Sequence, residues 1–416
     1  MYWGREAERR LNAEIATYRA AGEPIFPADF DSEPVADEEN GAKFYLDLEN
    51  TFPDRNQDLW EMIKGFLADP ASGDSDQVSK VLKEHAWLFE AARRERTKTQ
   101  YDWGVRMKRP LFHHPMPSQS HVRGMVRFSC MAALREHLDG NDAEAVEHFR
   151  DAMAAGRAMD HLDGFLIAHL VSCAIYELIV SSIEQVGPNL AIGGSSGLGE
   201  ESRSPADPEA VHALLADLLD EESYRTGSVR AMQGERAGLF DAYRMIVEEH
   251  LPWGDLMGLP SSPPSAKERQ SWPERSLVWL IEPLLTLDAF RMMRLMSLQV
   301  EAAGAENYEA AKRHGAAMGI PSGLSGALRH PLSSTFMPAF GRTTVIHFRA
   351  LGARRRAAVG LAARWYAVDH GRKPRSVHDL VPAYLEAAPL DPMVDDGSLI
   401  GLPGWCVEEE SDEATK

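Results

Sequence analysis

Cysteine is scarce in this chain: Cys130, Cys173 and Cys406 are the only three in 416 residues. None sits in a CxxC pair or at a zinc-site Cys/His spacing, and so few cannot build a disulfide scaffold. Cys130 and Cys173 lie in apolar helical surroundings and read as small buried hydrophobes. Positive charge is also short, with 44 Lys and Arg against 63 Asp and Glu and a net charge of −19. Such a surface repels phosphate backbones, which argues against a general nucleic-acid role. The one dense basic run, Arg354-Arg355-Arg356, falls inside a helical pattern. It reads as a solvated helix face, with a contact to an acidic partner or lipid head group as the sharper alternative. Alternating strand-type segments are almost absent, which excludes a β-rich fold. No GxSxG elbow or HExxH helix is present. The GGSSGLG run from Gly193 lacks the Lys-Ser/Thr pair of a phosphate loop and follows no strand, so it reads as a surface loop.

What is present is ordinary for a globular protein: 44% hydrophobic and 26% charged residues. The length fits two or three domains or one extended helical array. Residues 1–20 are charged throughout, unlike a secretory signal. Phe165 to Ile183 approaches the length of a membrane span, about 20 residues. His169 and Glu177 within it would be costly in lipid, so a helix buried on all sides of a bundle is expected.

Helical periodicity runs through the chain. Trp3, Ala7, Leu11, Ile15 and Tyr18 make one stripe over residues 2–20. Helices are expected near 40–50 and 56–68, split by Pro53, and over Asp76–Arg96. Residues 98–121 read as an irregular connection. Val126, Cys130, Leu134 and Leu138 then lead into a DGND turn. Val146, Phe149, Met153 and Gly156 continue beyond it, giving a helical hairpin of the tetratricopeptide kind. A buried helix over 164–186 follows, then one from Pro208 and one through VRAMQGERAGLFDAYRMIVEEH. A Met-rich helix over 277–303 has Leu285, Ala289, Met292, Met296 and Val300 on one face. Two more cover 305–317 and 342–369. The predicted fold is mostly α: an irregular helical-hairpin, tetratricopeptide-like array or bundle with a small C-terminal cap. The expected segments are 1–110, 111–320 and 321–416.

The cap begins at ARWYAVDHGRKPRSVHDLVPAYLEAAPLDP, residues 363–392. Gly371 suits a left-handed helix end, and Pro374 prevents resumption. Ser376 with Asp379 matches a capping box for a short helix over Val377–Leu380. Tyr384 and Leu385 can fold back as anchors. The remaining spacing allows a short β-hairpin, Ser398–Ile400 with Trp405–Val407.

This segment resembles the region after the long helix of type II secretion pseudopilins. It is more closely similar to the C-termini of a family of uncharacterised bacterial, mostly α-helical, often membrane-anchored proteins. That wider resemblance includes RAAGEPI at 19–25, EENGAKFYLDL at 38–48, the GNDAEAV hairpin, LIAHLVSCAI at 166–175 and QGERAGLF at 233–240. It implies an architecture and a cell-envelope setting, not a reaction. Relatives of this kind carry an anchor helix before the first amphipathic helix. Met1 falls where it would end, so membrane contact would run through a segment missing here.

Among polar constellations, His113-His114 with His121 is the densest imidazole group, but adjacent histidines in a Pro-flanked loop usually point apart. Asp391, Asp395 and Asp396 do not complete a calcium loop. His169 and Glu177, two turns apart, with Glu235 and Arg236, are the candidates for an internal polar network, because buried charges need partners. Arg123 and Arg127 are conceivable counterparts. No catalytic residue, metal ligand or cofactor is assigned. The expectation is a non-enzymatic interaction or scaffold protein of the bacterial envelope with a protein partner. A hydrolase with its site among those four residues, and a structural subunit of a secretion assembly, are the alternatives.

Overall fold

The computed structural model describes residues 2–31, 33–48, 57–71, 73–109, 119–193, 203–249, 272–316 and 329–406. Within them the chain is helical, and pairing of extended backbone is limited to isolated bridges. His113, His114, Pro53, most of the GGSSGLG run and Val407 fall outside the described residues.

Helix α1 (Tyr2–Ala20) buries Ala7, Leu11, Ile15 and Tyr18, the expected stripe. Short helices α2 (Ala42–Asp47) and α3 (Gln57–Ala68) follow. The single helix expected over Asp76–Arg96 is two: α4 (Ser75–Glu84) and α5 (Ala86–Glu95). The break falls at His85, whose φ and ψ of −111° and 19° leave the helical region while its ring Nδ1 lies 2.8 Å from the Val81 carbonyl oxygen. A side chain that competes for a backbone carbonyl favours a local break.

The predicted hairpin is present as α6 (Gln119–Leu138) and α7 (Asp142–Asp160). Gly140 turns the chain at φ 82°, where other residues are strained. The Asn141 side chain caps α7. Helix α8 (Leu166–Val186) packs on α6 and α7. It is not enclosed on every side: Ile167 is 53% exposed, and Ala174, Glu177 and Ser181 are exposed along the same outer face. Helices α9 (Pro208–Leu219) and α10 (Glu222–Val247) come next. Helix α11 (Trp272–Ala303) runs through Pro283 and buries Leu285, Ala289, Met292, Met296 and Val300 as expected. Helices α12 (Tyr308–Ala316), α13 (Pro331–Phe336) and α14 (Thr343–His370) complete the set.

Two apolar cores result. The first gathers α2 to α9, α14 and the cap. The second joins α1, the C-terminal half of α10, α11 and α13. Helix α10 belongs to both and runs between them. Two glycines allow its close approach to the turn around residue 160. A Cβ on Gly234 would lie 2.0 Å from the Gly164 carbonyl oxygen, and one on Gly227 would lie 2.7 Å from that of Asp160.

The cap follows its sequence signals at first. Gly371 ends α14 at φ 63°, and the Asp379 carboxylate accepts from the N–H groups of Arg375 and Ser376 at 2.7 and 3.1 Å. Tyr384 donates to Asp369 at 2.8 Å, and Leu385 is buried. The expected hairpin is not formed among its described residues, 398–400 and 405–406. Residues 398–400 pair instead with 389–391, through Asp391 N–H to Ser398 and Ile400 N–H to Pro389, and Gly404–Cys406 is a 3₁₀ turn. The 3₁₀ turn takes Trp405 and Cys406 out of an extended path, whereas the stretch before Pro392 pairs with residues 398–400.

Candidate functional site

The Arg354-Arg355-Arg356 run is not a solvated face. Only Arg356 is exposed; Arg354 is 1% exposed. Its Nε donates to the Leu218 carbonyl at 3.1 Å and its Nη2 to that of Asp217 at 3.1 Å and to that of Asp220. These are the orphan carbonyls at the C-terminal end of α9, where a cation also complements the helix dipole. The guanidinium lies 4.4 Å above the Tyr176 ring and 5.6 Å from that of Tyr224. Arg355 grips Glu221 with two hydrogen bonds, 2.6 and 2.8 Å, and donates to the Leu390 carbonyl at 2.7 Å. Burial alone would raise Glu221, but Arg355 and Arg225 hold it below the usual carboxylate range. One run of sequence therefore locks the α9–α10 junction to α14 and to the cap.

Beside Arg354, Asp160 ends α7 with its carboxylate 4% exposed as a residue. It accepts from the hydroxyls of Ser172, Tyr176 at 2.8 Å and Ser223 at 3.1 Å. Burial pushes its pKa up to about 6, against the pull of those donors and of Arg354. Behind it, the Tyr224 hydroxyl donates to the His347 carbonyl at 2.9 Å, so the Cys173 thiol, 3.1 Å away, is the donor to Tyr224. Nε2 of His169 lies 3.1 Å from Nδ1 of His347 and 3.7 Å from the Cys173 sulfur. The other two ring nitrogens, Nδ1 of His169 and Nε2 of His347, have no partner.

That Cys-His-His group is a packing element in its chemistry. Burial pushes the Cys173 thiol up to about 12, so it stays protonated. The same burial lowers His169 to about 4 and His347 further, so both rings are neutral. Metal ligands need their second ring nitrogen hydrogen-bonded, and here those nitrogens are the bare ones. Among the described residues no three His, Cys, Asp or Glu side chains are placed to hold a metal. His121 is buried in α6.

The four sequence candidates do not converge. His169 belongs to the group just described. Glu177 is exposed on the outer face of α8, not interior, in line with Ile167, Ala174 and Ser181. Glu235 is partly buried and accepts from the Leu166 N–H at 3.3 Å, at the first turn of α8. Burial raises its pKa and that N–H opposes the shift; acceptors suit a helix N-terminus. Arg236 points into the second core and pairs with Glu23 at 2.5 Å. Arg123 is exposed and Arg127 lies over the Trp60 ring at 5.6 Å, so neither is their counterpart.

Two accessible concavities lie away from all four residues. One of about 490 Å³ opens above the α9–α10 junction, between Leu215, Leu219, Glu221 and Arg355 on one side and Tyr384 to Leu390 on the other. Leu390 on its rim is 53% exposed. A second, of about 400 Å³, lies where Gly360 and Leu361 of α14 face Leu402 and Trp405 of the cap. Both have the cap as one wall. Sequence reasoning placed the cap but missed these grooves, since Leu215, Glu221 and Arg355 carry no motif; the signal available was an arginine run on a helix with apolar neighbours at every position around it. No protein-family model, curated protein or solved structure matches this chain.

Proposed function

We propose that this chain is a non-enzymatic interaction or scaffold protein that seats a protein partner against its C-terminal cap, in a bacterial cell envelope. The observation that carries the reading is the groove of about 490 Å³ above the α9–α10 junction. It combines apolar side chains with a few fixed polar ones, the usual make-up of a recognition site. Its floor is rigid, because Arg354 and Arg355 tie α9, α10, α14 and Leu390 together. An exposed leucine at the rim of such a groove, beside Glu221 and Arg355, suits an apolar segment of a partner flanked by charge. The buried polar groups fit the same reading: Asp160 is held by three hydroxyls, Cys173 by Tyr224, and His169 faces His347, all away from solvent. The envelope setting rests on the pseudopilin-like sequence of residues 363–392.

The test is a pull-down from native envelope extract with the full chain and with Leu390→Asp and Leu219→Asp variants, read by mass spectrometry. A partner retained by the wild-type chain and lost from both variants supports the groove. A partner retained by both variants removes the groove from the account.

A further inference from the structure

The second core borders a cleft of about 540 Å³ between α1 and α11 that the cap does not touch. In a chain of net charge −19, this cleft gathers three arginines, Arg236, Arg291 and Arg294. Tyr18, Phe290 and Leu298 supply its apolar lining. Arg236 has no solvent exposure and sits at the floor, with its guanidinium carbon 4.2 Å above the Tyr18 ring. Nη1 donates to Ser297 Oγ at 3.1 Å and Nη2 to Glu23 at 2.5 Å and to the Pro24 carbonyl at 3.4 Å, while its buried Nε lacks a partner.

The cleft also contains three carboxylates, and each is engaged. Glu23 holds Arg236, Glu14 accepts from the Tyr18 hydroxyl at 2.7 Å, and Glu301 lies 3.0 Å from His314 Nδ1. Arg294 is different. It is exposed on the rim, lies 5.8 Å from the Phe290 ring, and is paired with no carboxylate among the described residues. Arg291, three residues earlier on the same helix, shares that face but is engaged, with Nη1 3.4 Å from Nε2 of His330. A guanidinium beside an aromatic and a leucine, over a floor that holds another, is a fork for a carboxylate or phosphate next to an apolar slot.

We propose that this cleft binds an anionic amphiphile, its carboxylate or phosphate head held by Arg294 and its apolar chain laid along Phe290 and Leu298. Glu23 is the competing anion inside the site. The ligand class has two sources, a free long-chain acid or the acyl chain and head group of an anionic lipid.

Isothermal titration of the full chain with decanoate is the test, with octyl glucoside as the neutral control and phosphatidylglycerol vesicle sedimentation as the lipid arm. Decanoate is expected to saturate one site, and Arg294→Glu to weaken it by about tenfold or more, as expected for loss and reversal of a charge-assisted contact. Glu23→Gln is expected to tighten binding several-fold, because it removes the rival carboxylate and frees Arg236. Sedimentation with vesicles that Arg294→Glu abolishes would assign the head group to a membrane lipid; decanoate binding without sedimentation would assign a free acid. Arg294→Glu alters an exposed side chain and should leave the thermal midpoint unchanged; Glu23→Gln should lower it, because Arg236 loses its counter-charge, and circular dichroism at the titration temperature shows that this variant is folded. Binding of neither probe, equal binding of octyl glucoside, or indifference to Arg294→Glu and Glu23→Gln would overturn the proposal.

Discussion

Arg354 and Arg236 are both buried, one in each core, and are held in different ways. Arg354 is held by three backbone carbonyls at the end of α9 and by two tyrosine faces, with Asp160 nearby as the counter-charge. Arg236 takes its counter-charge from Glu23, a side chain 31% exposed at the wall of a cleft. The first arrangement is closed and holds helices together. The second borders open space, and its carboxylate can be exchanged. A buried cation with backbone partners is architecture; a buried cation with a half-exposed partner beside a cavity can serve recognition.

Substitution at the two arginines is the strongest way to break this contrast. Arg354→Met is expected to destabilise the first core by about 3–5 kcal/mol, since it leaves the α9 carbonyls without their donors and Asp160 without its counter-charge in the interior. Urea titration followed by circular dichroism should show the loss, and Arg236→Met should cost less because Glu23 can turn to water. Gly234→Ala comes next. Its methyl would meet the Gly164 carbonyl at 2.0 Å, and overpacking against backbone costs on the order of 1–3 kcal/mol. The same urea titration is the check, and Gly360→Ala, where a Cβ meets nothing within 4 Å, is the control.

The pH dependence is a smaller effect that separates the members of the first core. His169 is held at about 4 when folded, against an ordinary 6.5. The unfolded chain takes up that proton below about pH 6.5 and the folded one does not. Stability from this group is therefore complete above pH 6.5 and falls as pH drops toward 4. Asp160 has the opposite sign, because its folded pKa is raised to about 6: its contribution is complete below its ordinary 3.8 and is lost as pH rises through about 6. His169→Phe should flatten the decline in urea midpoint between about pH 7 and pH 4.5, leaving the rise due to Asp160, while Asp160→Asn should steepen it. The smallest effect is expected at Arg313, whose ion pair with Asp395 is 65% and 45% exposed. Arg313→Ala should change stability by less than about 0.5 kcal/mol in the same titration.

Much of the fold was legible because apolar period carries directly into packing. The stripe Ala7 to Tyr18, the α6–α7 hairpin with its Asn141 cap, the Met-rich face of α11 and the Gly371 stop all follow from local rules. The failures share a cause. His85 breaks a periodic segment through a side-chain contact that periodicity does not encode. The cap pairs residues 398–400 with a preceding extended stretch, a tertiary choice. Arg354 looks like surface by residue type, and only the position of the α9 carbonyls makes it interior. Of the four site candidates, Arg236 reached a cleft and Glu235 a helix start. Glu177 faced outward, because a hydrophobic run of this length does not state which side of the helix its one carboxylate occupies.

The most direct measurement of the central claim is site-specific photo-crosslinking in living cells of the native host, with the photoreactive residue at Leu390 and, as a control, at the equally exposed Leu138. The account predicts one discrete protein adduct at Leu390, absent at Leu138 and lost when Arg355→Glu is added to disturb the groove. The same adducts at both positions, or none at Leu390 in cells where the protein is folded and abundant, would contradict a partner seated against the cap.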